Sequence, residues 1–143
     1  MQRNNPWQSY QQIATQTAQP GQLVLMLFDG AIRFLEKARL GFQEEDPLAF
    51  NLTINNNVQR AQAIINELNA SLNMTQGGEF AANLRRLYNY MDHRLQESNL
   101  TKRVNGIEEV IQRLTVLRDA WSEMLRTRGA SEAAEPFPVA ALA

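Results

Sequence analysis

Residues 20–38 read PGQLVLMLFDGAIRFLEKA, the longest stretch of this chain in which apolar side chains return at helical spacing with almost no interruption. Leu23, Leu27, Ala31, Phe34 and Ala38 advance by threes and fours and form one stripe, and Val24, Phe28, Ile32 and Leu35 form a second beside it. The polar edge left over is narrow. Such a segment cannot sit as a one-sided surface helix; it must lie against two neighbours, or against one neighbour and a partner molecule. Gly30 inside it costs about 1 kcal/mol of helix propensity relative to Ala, which close approach of another backbone would offset.

Working outward, Pro20 suits the first helical position, where its missing N–H is harmless, and Asp46-Pro47 gives an N-cap and first-turn signal for a second helix. That helix, about Pro47 to Leu72, carries Ile54, Val58, Ala61, Ile65, Leu68 and Leu72 at alternating fours and threes, the seam of a helix packing. Beside the seam stand Asn57, Ile64 and Ser71. Gly77-Gly78 breaks the pattern and Glu79 favours a restart. A third helix then sets Phe80, Leu84, Leu87, Met91 and Leu95 on one face, with Ala81, Tyr88 and Tyr90 on its flanks, and ends near Asn99. After a short basic linker, Lys102-Arg103, the fourth helix shows Ile107, Val110, Leu114, Leu117, Trp121 and Met124, with Gly129 expected to close it. No strand signal competes, and the reading is all-α: an antiparallel up-down-up-down four-helix bundle over residues 20–128. Residues 1–19, polar and rich in Gln and Asn, are expected to form a flexible N-terminal segment in which Trp7, Tyr10 and Ile13 share one sticky face. Residues 129–143, with Pro136 and Pro138, are expected to be a disordered tail.

At 143 residues and 44% hydrophobic, the chain is the size of one domain with a real core. It has no cysteine, which excludes a disulfide scaffold, a thiolate zinc site and a cysteine nucleophile, and fits a reducing compartment. The first residues lack the apolar core of a signal peptide, and the longest apolar run, Leu23 to Phe28, is far too short to cross a bilayer. A cytoplasmic protein without membrane insertion is expected. Net charge is −1 with both signs interspersed, so there is no electrostatic basis for binding nucleic acid.

Catalysis is poorly provided for. His93 is the only histidine, no glycine-framed serine elbow exists, and Tyr90 stands where a carboxylate-bridged di-metal bundle needs a glutamate three residues before its histidine. Gly77-Gly78 lacks the Lys-Ser/Thr of a phosphate-cradling loop. No enzyme activity, cofactor or metal is therefore expected. A histidine phosphotransfer domain is the alternative of a different class, since His93-Arg94-Leu95 superficially matches its core motif. Gln96 and Glu97 follow, however, where that family has a basic residue and a glycine, and a glutamate there repels a phosphoryl group.

What remains is a binding module. Apolar residues exceed one seam per helix: Met26 and Phe28 on the first, Ile64 on the second, Tyr88 and Tyr90 on the third, with Trp7 and Tyr10 outside the bundle. A contiguous groove of such surplus is what an amphipathic helical client needs.

Several blocks carry a resemblance. Asn5-Pro6-Trp7 with Tyr10-Gln11-Gln12, Thr17-Ala18-Gln19-Pro20 leading into Leu23 to Gly30, and Ala61 to Leu68 resemble the flagellin export chaperone family (FliS type). Leu87-Tyr88-Asn89-Tyr90-Met91 with Arg94-Leu95 and Asn99, then Glu108-Glu109-Val110 and Leu117 to Trp121, continue the match. The resemblance implies a cytoplasmic chaperone with a four-helix bundle that binds the C-terminal segment of flagellin in apolar grooves, prevents premature filament polymerisation and delivers the subunit to the flagellar type III secretion apparatus. It also implies that the segment bearing Tyr10 covers the client groove in the free protein, and that Trp7 and Tyr10 dock on the flagellar export gate protein. Two departures stand out: Gln19 replaces the usual serine before Pro20, and Trp7 is bulkier than the residue usual there. The groove wall is expected on the second and third helices, from Asn57, Ile64, Leu68, Tyr88 and Met91, with Leu68 and Met91 equally compatible with the core. On this reading Ile64→Asp spares the fold and abolishes client binding. A homodimer of the free protein and a non-flagellar helical adaptor stay open as alternatives.

Overall fold

A computed structural model describes residues 20–130 as four helices: α1 (Pro20–Gly41), α2 (Pro47–Ala70), α3 (Gly78–Thr101) and α4 (Asn105–Ala130). Their boundaries follow local chemistry. The Asp46 carboxylate accepts the Ala49 N–H at 2.9 Å and caps α2, with Pro47 in the first turn. Before α3, the Asn73 side chain accepts the Gln76 N–H at 2.9 Å, and Gly78 takes φ +57°, a conformation natural to glycine. α3 ends on Lys102, which adopts the left-handed conformation that a glycine usually supplies, and its ammonium donates to the Asn99 carbonyl at 2.6 Å. α4 continues through Gly129 to Ala130, so the expected glycine stop does not operate.

Packing runs α1 to α2, α2 to α3, α3 to α4 and α4 back to α1, the ring of neighbours expected of an up-down-up-down bundle. Cross-helix pairs set the antiparallel registers. Asn99 donates to Asn55, Gln62 to Asp92 and Arg85 to Asn69, three links seven residues apart along both α2 and α3. Asp29 receives Arg118 at 2.7 Å, and the Trp121 indole donates to the Gly21 carbonyl at 2.7 Å, which together tie α4 to α1. The seam read from the sequence of α2 is buried throughout: Ile54, Val58, Ala61, Ile65, Leu68 and Leu72.

The flanking residues correct the expectation of surplus. Ile64, Leu68 and Met91 have no exposed surface, and they join the same core as Leu35, Val58 and Leu114. In a square bundle each helix meets two neighbours and so needs two stripes, which the sequence reading assigned to the first helix but not to the second and third. Ile64 belongs to the second stripe of α2 and points at α1, where a Cβ at Gly30 would lie 3.3 Å from its Cδ1. The close approach at Gly30 is therefore that of a side chain, and the expected backbone contact is not found. Asn57 is also buried, and its amide donates to the Thr53 carbonyl at 2.8 Å, so it is not a free hydrogen-bonding group on a groove wall.

Candidate functional site

α3 and α4 share the least extensive contact among the neighbouring pairs. At the end holding the α3–α4 turn, small residues face each other. A Cβ at Gly106 would fall 2.3 Å from Ser98 Oγ and 2.9 Å from the Arg94 carbonyl oxygen, so the two backbones nearly touch. Just beyond this contact a polar clamp crosses the seam. The Tyr90 hydroxyl donates to Glu109 at 2.7 Å, Arg94 donates to the same carboxylate at 2.9 Å, and Arg113 adds a third bond at 2.9 Å from its own helix. The Tyr90 hydrogen bond first, then those from the two arginines, hold the Glu109 carboxyl down at about 2.

At the opposite end the facing residues are large and leave a cleft between them. Phe80, Asn83, Leu84, Leu87 and Tyr88 of α3, Leu117 and Trp121 of α4 and Phe28 of α1 line a cleft with about 210 Å³ of free space. It is open to solvent on one side, its lining includes no charged residue, and Asn83 is its one amide; the Tyr88 hydroxyl has no exposed surface and, among the described residues, no hydrogen-bond partner. Leu87, Leu117 and Phe80 are half-buried at its rim, whereas Phe28, Leu84, Tyr88 and Trp121 are buried in its walls. A cleft of this chemistry accepts apolar side chains from another polypeptide and offers nothing to a substrate in need of acid, base or nucleophile.

Of the site residues expected from the sequence, Tyr88 lies at this cleft, while Asn57, Ile64, Leu68 and Met91 lie in the core. Trp7 and Tyr10 lie outside the described residues, as do the N-terminal segment and most of the tail. Tyr90, read as surplus apolar surface, is 41% exposed but engaged with Glu109, and the Arg113 guanidinium stacks on its ring. Phe28, Phe80, Leu84, Leu87, Leu117 and Trp121 were not proposed as site residues; all but Phe28 fit the seam periodicity of α3 and α4. A signal was present: bulky residues crowd the start of α3 and the end of α4, and small ones, Ser98 and Gly106, meet at the other end.

His93 is exposed on α3. Among the described residues no group of three or more His, Cys, Asp and Glu could hold a metal ion, and no helix is long and apolar enough to cross a membrane.

Comparison with known proteins adds the following. The family model described as "Flagellar protein FliS" matches residues 3–128. The chain is 35% identical over 123 residues to a flagellar secretion chaperone FliS of Bacillus subtilis, covering 86% of this chain and 88% of that one. It is 39% identical over 111 residues to the protein of the same name in Salmonella typhimurium, covering 78% and 80%. With the FliS protein of Escherichia coli the identity is 35% over 122 residues, covering 82% and 88%.

Proposed function

The chain belongs to the FliS family of flagellar secretion chaperones, and from that premise we propose that it binds the C-terminal segment of flagellin and that the cleft between α3 and α4 receives an apolar helix of this client. The observation that carries the proposal is the unfilled apolar space bounded by Phe28, Phe80, Leu84, Leu87, Leu117 and Trp121. Exposed apolar space of this kind costs the free protein dispersion contacts and is filled at a gain by side chains of matching shape. Apolar burial supplies the affinity, and the entropy lost by a flexible client on becoming ordered moderates it, leaving a complex that can be taken apart at export.

In this reading the chaperone acts in the cytoplasm, without catalysis, covers the flagellin helices that pair in the filament and hands the subunit to the export apparatus. Trp7 and Tyr10 are proposed to contact the export gate protein. The test uses the rim: Leu117→Glu and Leu87→Glu place a charge at a half-buried position where the side chain can turn to solvent. Each variant is expected to keep its helical circular dichroism and to lose at least tenfold in affinity for a soluble C-terminal flagellin fragment by calorimetric titration. Unchanged affinity in both variants would remove the cleft from the binding surface.

A further inference from the structure

Beside the cleft-lining residues Phe80, Leu84 and Leu87, α3 carries a second stripe, Glu79, Asn83, Arg86 and Tyr90, at steps of four, three and four, which runs along the outer lip of the cleft. All four are exposed. Tyr90 is engaged with Glu109, as described above, but among the described residues neither Glu79 nor Arg86 has an ion pair. Arg39, Arg94, Arg113, Arg118 and Arg126 each meet a carboxylate. The Arg86 guanidinium instead donates to the side-chain oxygen of Asn83, a neutral partner that itself lines the cleft, so the charge is held at the lip. Glu79 cannot reach it. Seven residues of helix separate the two by about 10 Å, whereas pairing along one helix needs a spacing of three or four. The first turn of α3 accounts for an acidic residue at position 79, but no carboxylate among the described residues accounts for a cation at position 86. The lip thus presents a negative and a positive charge two turns apart, with the Asn83 amide between them.

We propose that Glu79 and Arg86 set the direction in which the client helix lies in the cleft: the helix carries a Lys or Arg that meets Glu79 and an Asp or Glu that meets Arg86, both on the edge of its apolar face and about seven residues apart. The inference rests on the cleft being the client site, as proposed above. The apolar lining alone fixes no direction, because hydrophobic burial is non-directional. Opposite charges at the two ends of one lip remove that freedom, since in a reversed helix each charge faces its like and is repelled. A client whose acidic residue precedes its basic one runs antiparallel to α3, and one with the opposite order runs parallel to it. Exposed ion pairs add little affinity, so the effect lies in orientation and choice of client.

The experiment measures binding of the Glu79→Lys and Arg86→Glu proteins, at low and at high salt, to the soluble flagellin C-terminal fragment. The same proteins are titrated with a set of fragments in which each Asp or Glu is changed in turn to Lys and each Lys or Arg to Glu. Both proteins are expected to keep the wild-type helical circular dichroism, since both positions are exposed. Each should bind the unmodified fragment about threefold to tenfold more weakly at low salt, with a smaller deficit at high salt. One acidic-to-Lys fragment should restore binding to the Arg86→Glu protein, one basic-to-Glu fragment should restore binding to the Glu79→Lys protein, and the two fragment positions should lie about seven residues apart. A purely structural role for either residue could not be rescued by changing the client. Unchanged affinity in either protein, a deficit that no fragment rescues, or rescue at positions that are not two turns apart overturns the proposal. Failure of the wild-type protein to bind the unmodified fragment at all would instead overturn the functional reading from which it follows.

Discussion

Ile64 and Gly30 form one feature seen from two helices. The glycine leaves a gap in the side of α1, and the isoleucine of α2 drops its Cδ1 into that gap, 3.3 Å from where a Cβ would stand. From the sequence, the glycine appears as a cost and the isoleucine as an excess, and each explains the other only when the helices are laid together. The consequence for mutagenesis is a reversal. Ile64→Asp buries a carboxylate with no partner at a site with no exposed surface, and such burial costs several kcal/mol beyond the lost packing. Against a typical total stability of about 5–15 kcal/mol, the variant is expected to lose most of its helical circular dichroism signal at 25 °C. A cooperative urea transition within about 1 kcal/mol of wild type would place the side chain outside the core after all.

Between elements, the pairing of α3 with α4 combines a tight end with an open one. Gly106 against Ser98 draws the backbones together, Glu109 fastens them through Tyr90 and Arg94, and Phe80, Leu84, Leu117 and Trp121 line the cleft at the far end. The clamp predicts a pH signature. Glu109 has its folded value lowered from 4.5 to about 2, so the folded state binds its proton later than the unfolded chain does. Its stabilisation is therefore complete above about pH 5 and is lost as the pH falls toward 2. Wild-type protein should melt above Glu109→Gln at neutral pH, and the difference in melting temperature should shrink steadily between pH 5 and pH 2. A difference independent of pH would mean that the carboxylate charge contributes nothing.

At the same scale lies the boundary of what could be read without coordinates. The four helices, the Asp46 cap, the break at Gly77-Gly78 and the seam from Ile54 to Leu72 follow from spacing and capping chemistry, and all are present. The site was less legible. Periodicity reveals how wide an apolar stripe is but not which neighbour covers it, so Ile64 read as groove, and Leu68 and Met91 as groove or core alike, although all three are buried. The stop of α3, expected near Asn99, falls at Thr101, where Lys102 takes the left-handed position that a glycine usually supplies. The cleft was hidden for a longer-range reason: it forms between two helices and a third, from residues far apart in sequence, and the close contact of Gly106 with Ser98 lies at the other end of the α3–α4 seam.

For the molecule as a whole, the ring of four helices leaves the core complete and places its unfilled apolar space at one end of one seam. On the reading proposed above, a bundle whose core is complete beside such a cleft takes up a client without giving up its own fold, and the sequence identity with flagellar secretion chaperones spans most of its length. Trp121 stands at that cleft, 2% exposed, with its indole N–H held by the first turn of α1. The chain has only one other tryptophan, Trp7. A Trp7→Phe protein would thus emit light from a single indole set in the wall of the cleft, and the arrival and departure of a cargo helix could be followed by intrinsic fluorescence in real time, with no dye attached to either polypeptide.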